Sequence, residues 1–247
     1  MDSTYTDLAN RTLRLLERSN SYRILILLIG APGSGKSTIA QRVIQKSTGV
    51  ESSIDQFAQV VPMDGFHLPR RVLHQFKDSK TAIARRGSPF TFDSSLIVQL
   101  VENINETLQI KAEGIDALET AISDIPDIYI PSFNHAEHDP KQFGTVIHSS
   151  SRVLIMEGLY LLLNEPIDDV EVPNGKNYEL WKIITDEDTM LYRVGKRHLN
   201  AGIVKTLKEG EDRVKFNDLP NGKLVYAKSF KSDLNIFSID DENESVL

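Results

Sequence analysis

The chain has 247 residues, 40% of them hydrophobic and 26% charged, enough for one large α/β domain whose core needs no disulfide or metal staple. There is no cysteine, which excludes thiolate catalysis, thiolate metal sites and disulfide frameworks and fits a reducing, cytoplasmic setting. The net charge of −7 disfavours a broad nucleic-acid surface, and the longest apolar run, six residues, is far too short to span a membrane.

Residues 6–18 read as a helix with Leu8, Leu15 and Leu16 on one side, so residues 1–21 are expected to form an N-terminal helical arm. Acidic residues mixed among the early arginines argue against a targeting peptide. The apolar run Ile24 to Ile29 then reads as a buried strand, and it leads into Gly30, Ala31, Pro32, Gly33, Ser34, Gly35, Lys36, Ser37 and Thr38. This is the pattern Gly-x-x-x-x-Gly-Lys-Ser. A strand that ends in a glycine-rich turn and opens a helix aims several backbone N–H groups into one concavity, which suits the phosphates of ATP. In that arrangement Lys36 reaches the β- and γ-phosphates and the Ser37 hydroxyl ligates Mg²⁺. Gly30, Gly33 and Gly35 are expected where a side chain would obstruct positive φ or close backbone approach. The following helix should run from Lys36 to about Lys46.

Further along, Gln59 to Met63 reads as a second strand ending at Asp64-Gly65. Leu96, Leu100, Ile104 and Leu108 recur every fourth residue behind a capping Asp93, a helix signature. Residues 109–126 resemble a surface excursion. Asp127 to Pro131, Arg152 to Met156, Tyr178 to Ile184 and Ile236 to Ile239 read as strands, and the acidic stretch 240–247 reads as a disordered tail. Strands alternating with helices imply a parallel sheet covered on both faces.

In an open parallel sheet the ligand lies outside the carboxyl ends of the strands, which draws attention to Asp64 and Glu157. One of the two can organise Mg²⁺ while the other accepts the proton of an attacking hydroxyl; each could instead cap the turn beside it. Asp186-Glu187-Asp188 opens a helix on which Arg193 and Arg197 share a face with Lys196 beside them, suited either to closing over a triphosphate or to remaining a solvated basic surface. Asn217, Asp218 and Asn221 could read an adenine edge or form a turn before the last strand. His67 and His138 could approach an acceptor or be structural.

The segments GAPGSGKST, PMDGFH at 62–67, RRGSPFTFD at 85–93, PSFNHAEHD at 131–139 and EGLYLL at 157–162 occur in the order found in the uridine kinase, phosphoribulokinase and bacterial-type pantothenate kinase superfamily, and the match looks closest to a fungal branch of ATP-dependent P-loop kinases. The resemblance spans residues 22–239. It implies a P-loop NTPase domain, three-layer α/β/α, with a parallel sheet of about five strands and a helical lid at about 186–215. It matches Asp64 to the catalytic base and Glu157 to a magnesium-associated glutamate, and Arg193 and Arg197 fall in the lid. It directs the acceptor toward Asp64, Arg86 and His135, the last matching an acceptor-contacting histidine of pantothenate kinases, and His67 and Phe133 are further candidate acceptor contacts. The implied activity is transfer of the γ-phosphoryl group of ATP, with Mg²⁺, to a hydroxyl of a small metabolite: a nucleoside, a pantothenate-like alcohol or a sugar. The aromatics expected of a uridine kinase are not evident around Phe133 to His138. The competing class is an ATP-hydrolysing switch or assembly factor that acts through a protein partner.

Overall fold

The structure, a computed structural model, describes residues 2–19, 21–48, 57–111, 125–134, 136–163 and 177–238. Its strands are β1 (Ile24–Gly30), β2 (Ala58–Pro62), β3 (Ile128–Asn134), β4 (Asp139–Ile147), β5 (Val153–Gly158), β6 (Tyr178–Ile184) and β7 (Leu234–Phe237). The helices are α1 (Asp2–Ser19), α2 (Lys36–Thr48), α3 (Arg70–Leu73), α4 (Ser79–Ala84), α5 (Ser94–Leu108), α6 (Glu187–Asn200), α7 (Leu207–Phe216) and α8 (Asp218–Lys228), with a short 3-10 turn over Met63–Phe66. His135, residues 112–124 of the expected excursion and the acidic tail at 240–247 lie outside the described residues.

Five strands form a parallel sheet in the order β2, β5, β1, β6, β7. Its centre is apolar without alternation because both faces are covered: all six residues of β5 are buried. Successive side chains of β1 divide between the two faces. Ile24, Ile26 and Leu28 join Tyr5 and Leu8 of α1 and Ile39 and Val43 of α2, whereas Leu25 joins Leu100, Ile104 and Leu108 of α5. These layers make the three-layer α/β/α fold of the P-loop NTPases. The N-terminal helix is part of that core, and ion pairs Lys46–Asp2 at 2.8 Å and Arg11–Glu179 at 2.6 Å fasten its polar side.

Several expectations need correction. The strand at Asp127 to Pro131 is absent from the parallel sheet: β3 pairs antiparallel with β4 in a separate two-stranded sheet, with a register shift between Ile130 and Ser132. Pro131 lies in that shift and has no N–H to offer a continuous ladder. Sequence reading missed β4 because Asp139-Pro140-Lys141 and Gly144 hide any apolar alternation. In α5 the Asp93 side chain accepts from Leu96 N–H at 3.0 Å as expected, but Leu96 itself stays exposed while Leu100, Ile104 and Leu108 are buried. Residues 217–221 are not a turn before the last strand; Asn217 is the joint between α7 and α8. No helix among the described residues is long and apolar enough to cross a membrane.

Candidate active site

The loop Gly30–Thr38 joins β1 to α2 at the carboxyl edge of the sheet. The first N–H groups of α2 have no partner within their own helix, so they and the loop amides present an anion-binding concavity. Gly33 and Gly35 adopt φ of 76° and 89°, the left-handed region that favours glycine. Gly30 is required for a different reason: a Cβ there would stand 2.5 Å from Ser34 Oγ. A Cβ on Gly35 would meet nothing within 4 Å, so that part of the loop faces open space. Ser34 Oγ is buried with no hydrogen-bond partner among the described residues. Lys36 Nζ donates to the carbonyls of Gly30 at 3.1 Å and Ala31 at 3.2 Å, two of its three donors.

Strand order brings the carboxylates to this loop. β5 lies between β2 and β1, with Glu157 in register with Pro62 on one side and Leu28 on the other. Glu157 is the penultimate residue of β5 rather than a residue beyond it, and Asp64 follows β2 in the 3-10 turn. Ser37 Oγ donates to Glu157 Oε1 at 2.9 Å. Burial raises the Glu157 pKa and Asp64 pushes in the same direction, while Lys36 and the Ser37 hydrogen bond oppose the shift. Burial lowers the Lys36 pKa against the opposing fields of Glu157 and Asp64. The glycines beside the two acids are packing requirements: a Cβ on Gly65 would lie 2.0 Å from the Pro131 carbonyl oxygen, and one on Gly158 would lie 2.5 Å from Met63 Cβ. A hydroxyl and a carboxylate are a hard-oxygen pair that fits Mg²⁺, and no cluster of three or more His, Cys, Asp or Glu side chains suited to a metal occurs among the described residues. Two such ligands would leave most positions of an octahedral ion to other oxygens.

On the far side of Asp64 lies the expected acceptor half. The His67 ring contacts the Asp64 carbonyl through Nδ1 at 2.8 Å and packs against Phe92, centroids 4.0 Å apart, and Phe133, 5.1 Å. Burial lowers its pKa, favouring the neutral ring. Arg86 donates to the carbonyls of Leu68 at 3.0 Å and His138, pairs with Asp139 at 2.9 Å and lies over the Phe133 ring at 5.6 Å. His138 contributes its carbonyl, from a left-handed backbone at φ 52°. The structure thus brings His67, Arg86 and Phe133 together beside Asp64. Sequence reasoning did not single out Asp139, which also accepts from Arg70 N–H at 2.9 Å, although it closes the PSFNHAEHD segment. Tyr160, inside EGLYLL, was equally overlooked; its hydroxyl donates to the Gly87 carbonyl at 2.7 Å.

The basic helix is α6, begun by Asp186 accepting from Thr189 N–H at 2.8 Å. It crosses α7 closely, since a Cβ on Gly210 would lie 2.5 Å from the Gly195 carbonyl oxygen. Arg193 Nη1 donates to the Gly33 carbonyl at 3.1 Å and to Ser238 Oγ at 2.8 Å, tying α6 to the phosphate loop and to the end of β7. Arg197 is exposed, and its charge acts on both Lys36 and Asp218. The amides once open to reading adenine are engaged internally: Asn217 Nδ2 donates to the Arg86 carbonyl at 3.1 Å and Asn221 Nδ2 to the Gly87 carbonyl at 3.2 Å.

A parallel sheet of this order carrying this loop, with carboxylates on the neighbouring strand ends, is the architecture of the P-loop NTPases. Within that class the chain is similar to fungal proteins named ATP-dependent kinase YFH7. The one from Kluyveromyces lactis is 36% identical over 225 residues, 83% of this chain and 64% of that protein. The crystal structure of YFH7 from Saccharomyces cerevisiae superposes with a TM-score of 0.80 at 28% identity, over 96% of this chain and 99% of that one. A candidate fructose transport system kinase from Silicibacter sp. TM1040 gives a TM-score of 0.70 at 26% identity, over 94% of this chain and 98% of that one. The NB-ARC domain family matches residues 5–111, a stretch that includes the β1, P-loop and α2 unit. By sequence the chain spans 64%, 52% and 54% of the length of three curated relatives.

Proposed function

We propose that this protein is an ATP-dependent kinase that transfers the γ-phosphoryl group to a hydroxyl of a small metabolite in the cytoplasm. The observation that carries the reading is the Ser37–Glu157 hydrogen bond at 2.9 Å, which joins the phosphate loop to the strand-end carboxylate with Asp64 and Lys36 in electrostatic contact. Ser37 and Glu157 would hold Mg²⁺. When bound, the ion neutralises charge on the β- and γ-phosphates. The loop amides and Lys36 orient the ATP phosphates. Asp64 receives the proton of the acceptor hydroxyl as its oxygen bonds to the γ-phosphorus and ADP departs. The helices around residues 186–215 act as a lid, with Arg197 presenting charge to the transferring group and Arg193 holding the loop through Gly33. His67, Arg86 and Phe133, with His135, shape the acceptor pocket. The name of the Silicibacter neighbour supports including sugars with nucleosides and pantothenate-like alcohols.

The test is a metabolite-library phosphorylation screen with ATP and Mg²⁺, scored by product mass. A phosphorylated alcohol is the expected result and identifies the acceptor. Release of inorganic phosphate with no phosphorylated product would overturn the kinase reading in favour of a nucleotide switch.

A further inference from the structure

Helix α8 touches both halves of the site with different side chains. Toward the donor half, the Tyr226 hydroxyl accepts from Thr185 N–H at 3.1 Å and Ala31 N–H at 3.4 Å and donates to the Ile183 carbonyl at 3.1 Å. Gly222 lies against the same loop, where a Cβ would stand 3.1 Å from Ala31 Cβ and 3.6 Å from Pro32 Cδ. Toward the acceptor half, Asn221, only 3% exposed, donates to the Gly87 carbonyl at 3.2 Å and accepts from Ser88 Oγ at 3.2 Å. Asn217, the residue before the helix, donates to the Arg86 carbonyl at 3.1 Å. Three consecutive residues, Arg86, Gly87 and Ser88, are therefore fixed from one helix end, and Gly87 is held at φ 102°. The Arg86 side chain leaves that fixed backbone to join Leu68, His138, Asp139 and Phe133.

Resting on the kinase reading, we infer that Asn221 is a positioning residue for the acceptor half: through Gly87 and Ser88 it sets the backbone from which Arg86 reaches the pocket. The amide suits this role because it donates to a carbonyl and accepts from a hydroxyl at once, which neither aspartate nor leucine can do. Buried with both its nitrogen and its oxygen bonded, it is costly to leave half-satisfied. Because Tyr226 lies on the same helix, α8 holds the phosphate loop and the acceptor loop in one frame. The two contacts should then be separable: one governs ATP, the other the alcohol.

The test compares Asn221→Ala with Tyr226→Phe by ATP titration, by amide hydrogen exchange, and by product formation from the alcohol library at low and high library concentration. Asn221→Ala is expected to speed exchange at residues 85–92 while leaving residues 30–40 protected, and to keep ATP affinity within about twofold. Product at low alcohol should fall about tenfold, the scale of one or two lost buried hydrogen bonds, and recover at high alcohol. Tyr226→Phe should show the converse, weaker ATP binding with the alcohol dependence unchanged. Unaltered exchange at 85–92, or ATP affinity falling in step with transfer, would overturn the inference. Should Asn221→Ala fail to fold, Ser88→Ala removes a single bond of the set and must give the same pattern at smaller amplitude; no effect there also overturns it. If the wild-type protein phosphorylates no alcohol, the kinase reading fails, and the positioning role is decided by the exchange and ATP measurements. If product forms and Asn221→Ala leaves its yield intact at low alcohol, the kinase reading stands and the positioning role falls.

Discussion

In the proposed donor half, nine consecutive residues, Gly30–Thr38, would meet phosphates largely through backbone N–H, and two partners from other segments, Glu157 and Arg193, contact the loop. The proposed acceptor half draws on the 3-10 turn, the 85–92 loop, the β3–β4 hairpin and Tyr160, and its polar side chains are already engaged, His67 and Tyr160 with backbone carbonyls and Arg86 with Asp139. The contrast follows from what each half would recognise in the proposed kinase. A triphosphate is the same in every such protein and can be held by backbone geometry, whereas an alcohol must be told apart from others by side chains whose positions depend on distant contacts. Substitutions in the two halves should accordingly separate binding of ATP from use of the acceptor.

The largest separation is expected at Asp64, where the halves meet. Asp64→Asn keeps size and hydrogen-bonding reach but loses basicity, so single-turnover transfer should drop roughly 10²–10⁴-fold with ATP affinity little changed. Asparagine caps a turn about as well as aspartate, so intact transfer would leave Asp64 with a structural role alone. Lys36→Ala strikes the donor half only. ATP turnover should fall by roughly 10²–10³-fold, the scale seen on removing a preorganised charge-stabilising donor. Thermal stability should hold or rise slightly, because burial lowers the Lys36 pKa and its charge is a burden on the nucleotide-free fold. Near-normal turnover would break the assignment of the loop.

Glu157 tests the donor half through pH. Burial raises its folded pKa above the unfolded value, so the folded state binds the proton more tightly, and its contribution to stability is largest below the ordinary glutamate range. That contribution is lost as pH rises from the unfolded pKa through the raised folded one. Glu157→Gln should flatten this slope in nucleotide-free denaturation and match or exceed wild-type stability above the window, while raising the Mg²⁺ requirement by about 10–100-fold. Wild-type use of Mg²⁺ should weaken as pH falls through the raised value. A magnesium titration unchanged by the substitution would remove Glu157 from the metal site.

The same contrast explains how much could be read from sequence. Gly30 to Thr38 and the strands β1, β2, β5, β6 and β7 were legible because a contiguous motif follows an apolar run, because the central strands β1 and β5, buried on both faces, need no alternation, and because the others are short apolar runs. Asp64 and Glu157 were legible as acids at strand ends. The hairpin was not, since β4 combines Pro140, Gly144 and charged residues, and β3 carries a proline in mid-run. Asn217 and Asn221 suggested base reading or a turn because the sequence does not reveal that Arg86 and Gly87 lie across from them, 131 and 134 residues away. Tyr226 carries no local signal at all; its three partners come from the P-loop and the end of β6.

The smallest expected effect sharpens the comparison within the acceptor half itself. Tyr160 gives the Gly87 carbonyl its shorter hydrogen bond, 2.7 Å against 3.2 Å from Asn221, and its ring meets Phe92 edge-on at 5.6 Å. Burial raises the phenol pKa, so the hydroxyl remains a donor across the physiological range and its role should be independent of pH. Tyr160→Phe keeps the ring and removes only the donor. The Gly87 carbonyl then retains Asn221, so the group is not orphaned, and the loss should be about 0.5–1.5 kcal/mol in denaturant unfolding. Acceptor use should weaken by a few-fold at most, with ATP affinity unchanged. The decisive comparison is the double variant with Asn221→Ala: if both side chains hold one carbonyl, removing the second donor orphans it and the combined cost must exceed the sum of the single costs. Strict additivity would mean that the two act on the loop separately, and that Gly87 is not the point at which the acceptor half is fixed.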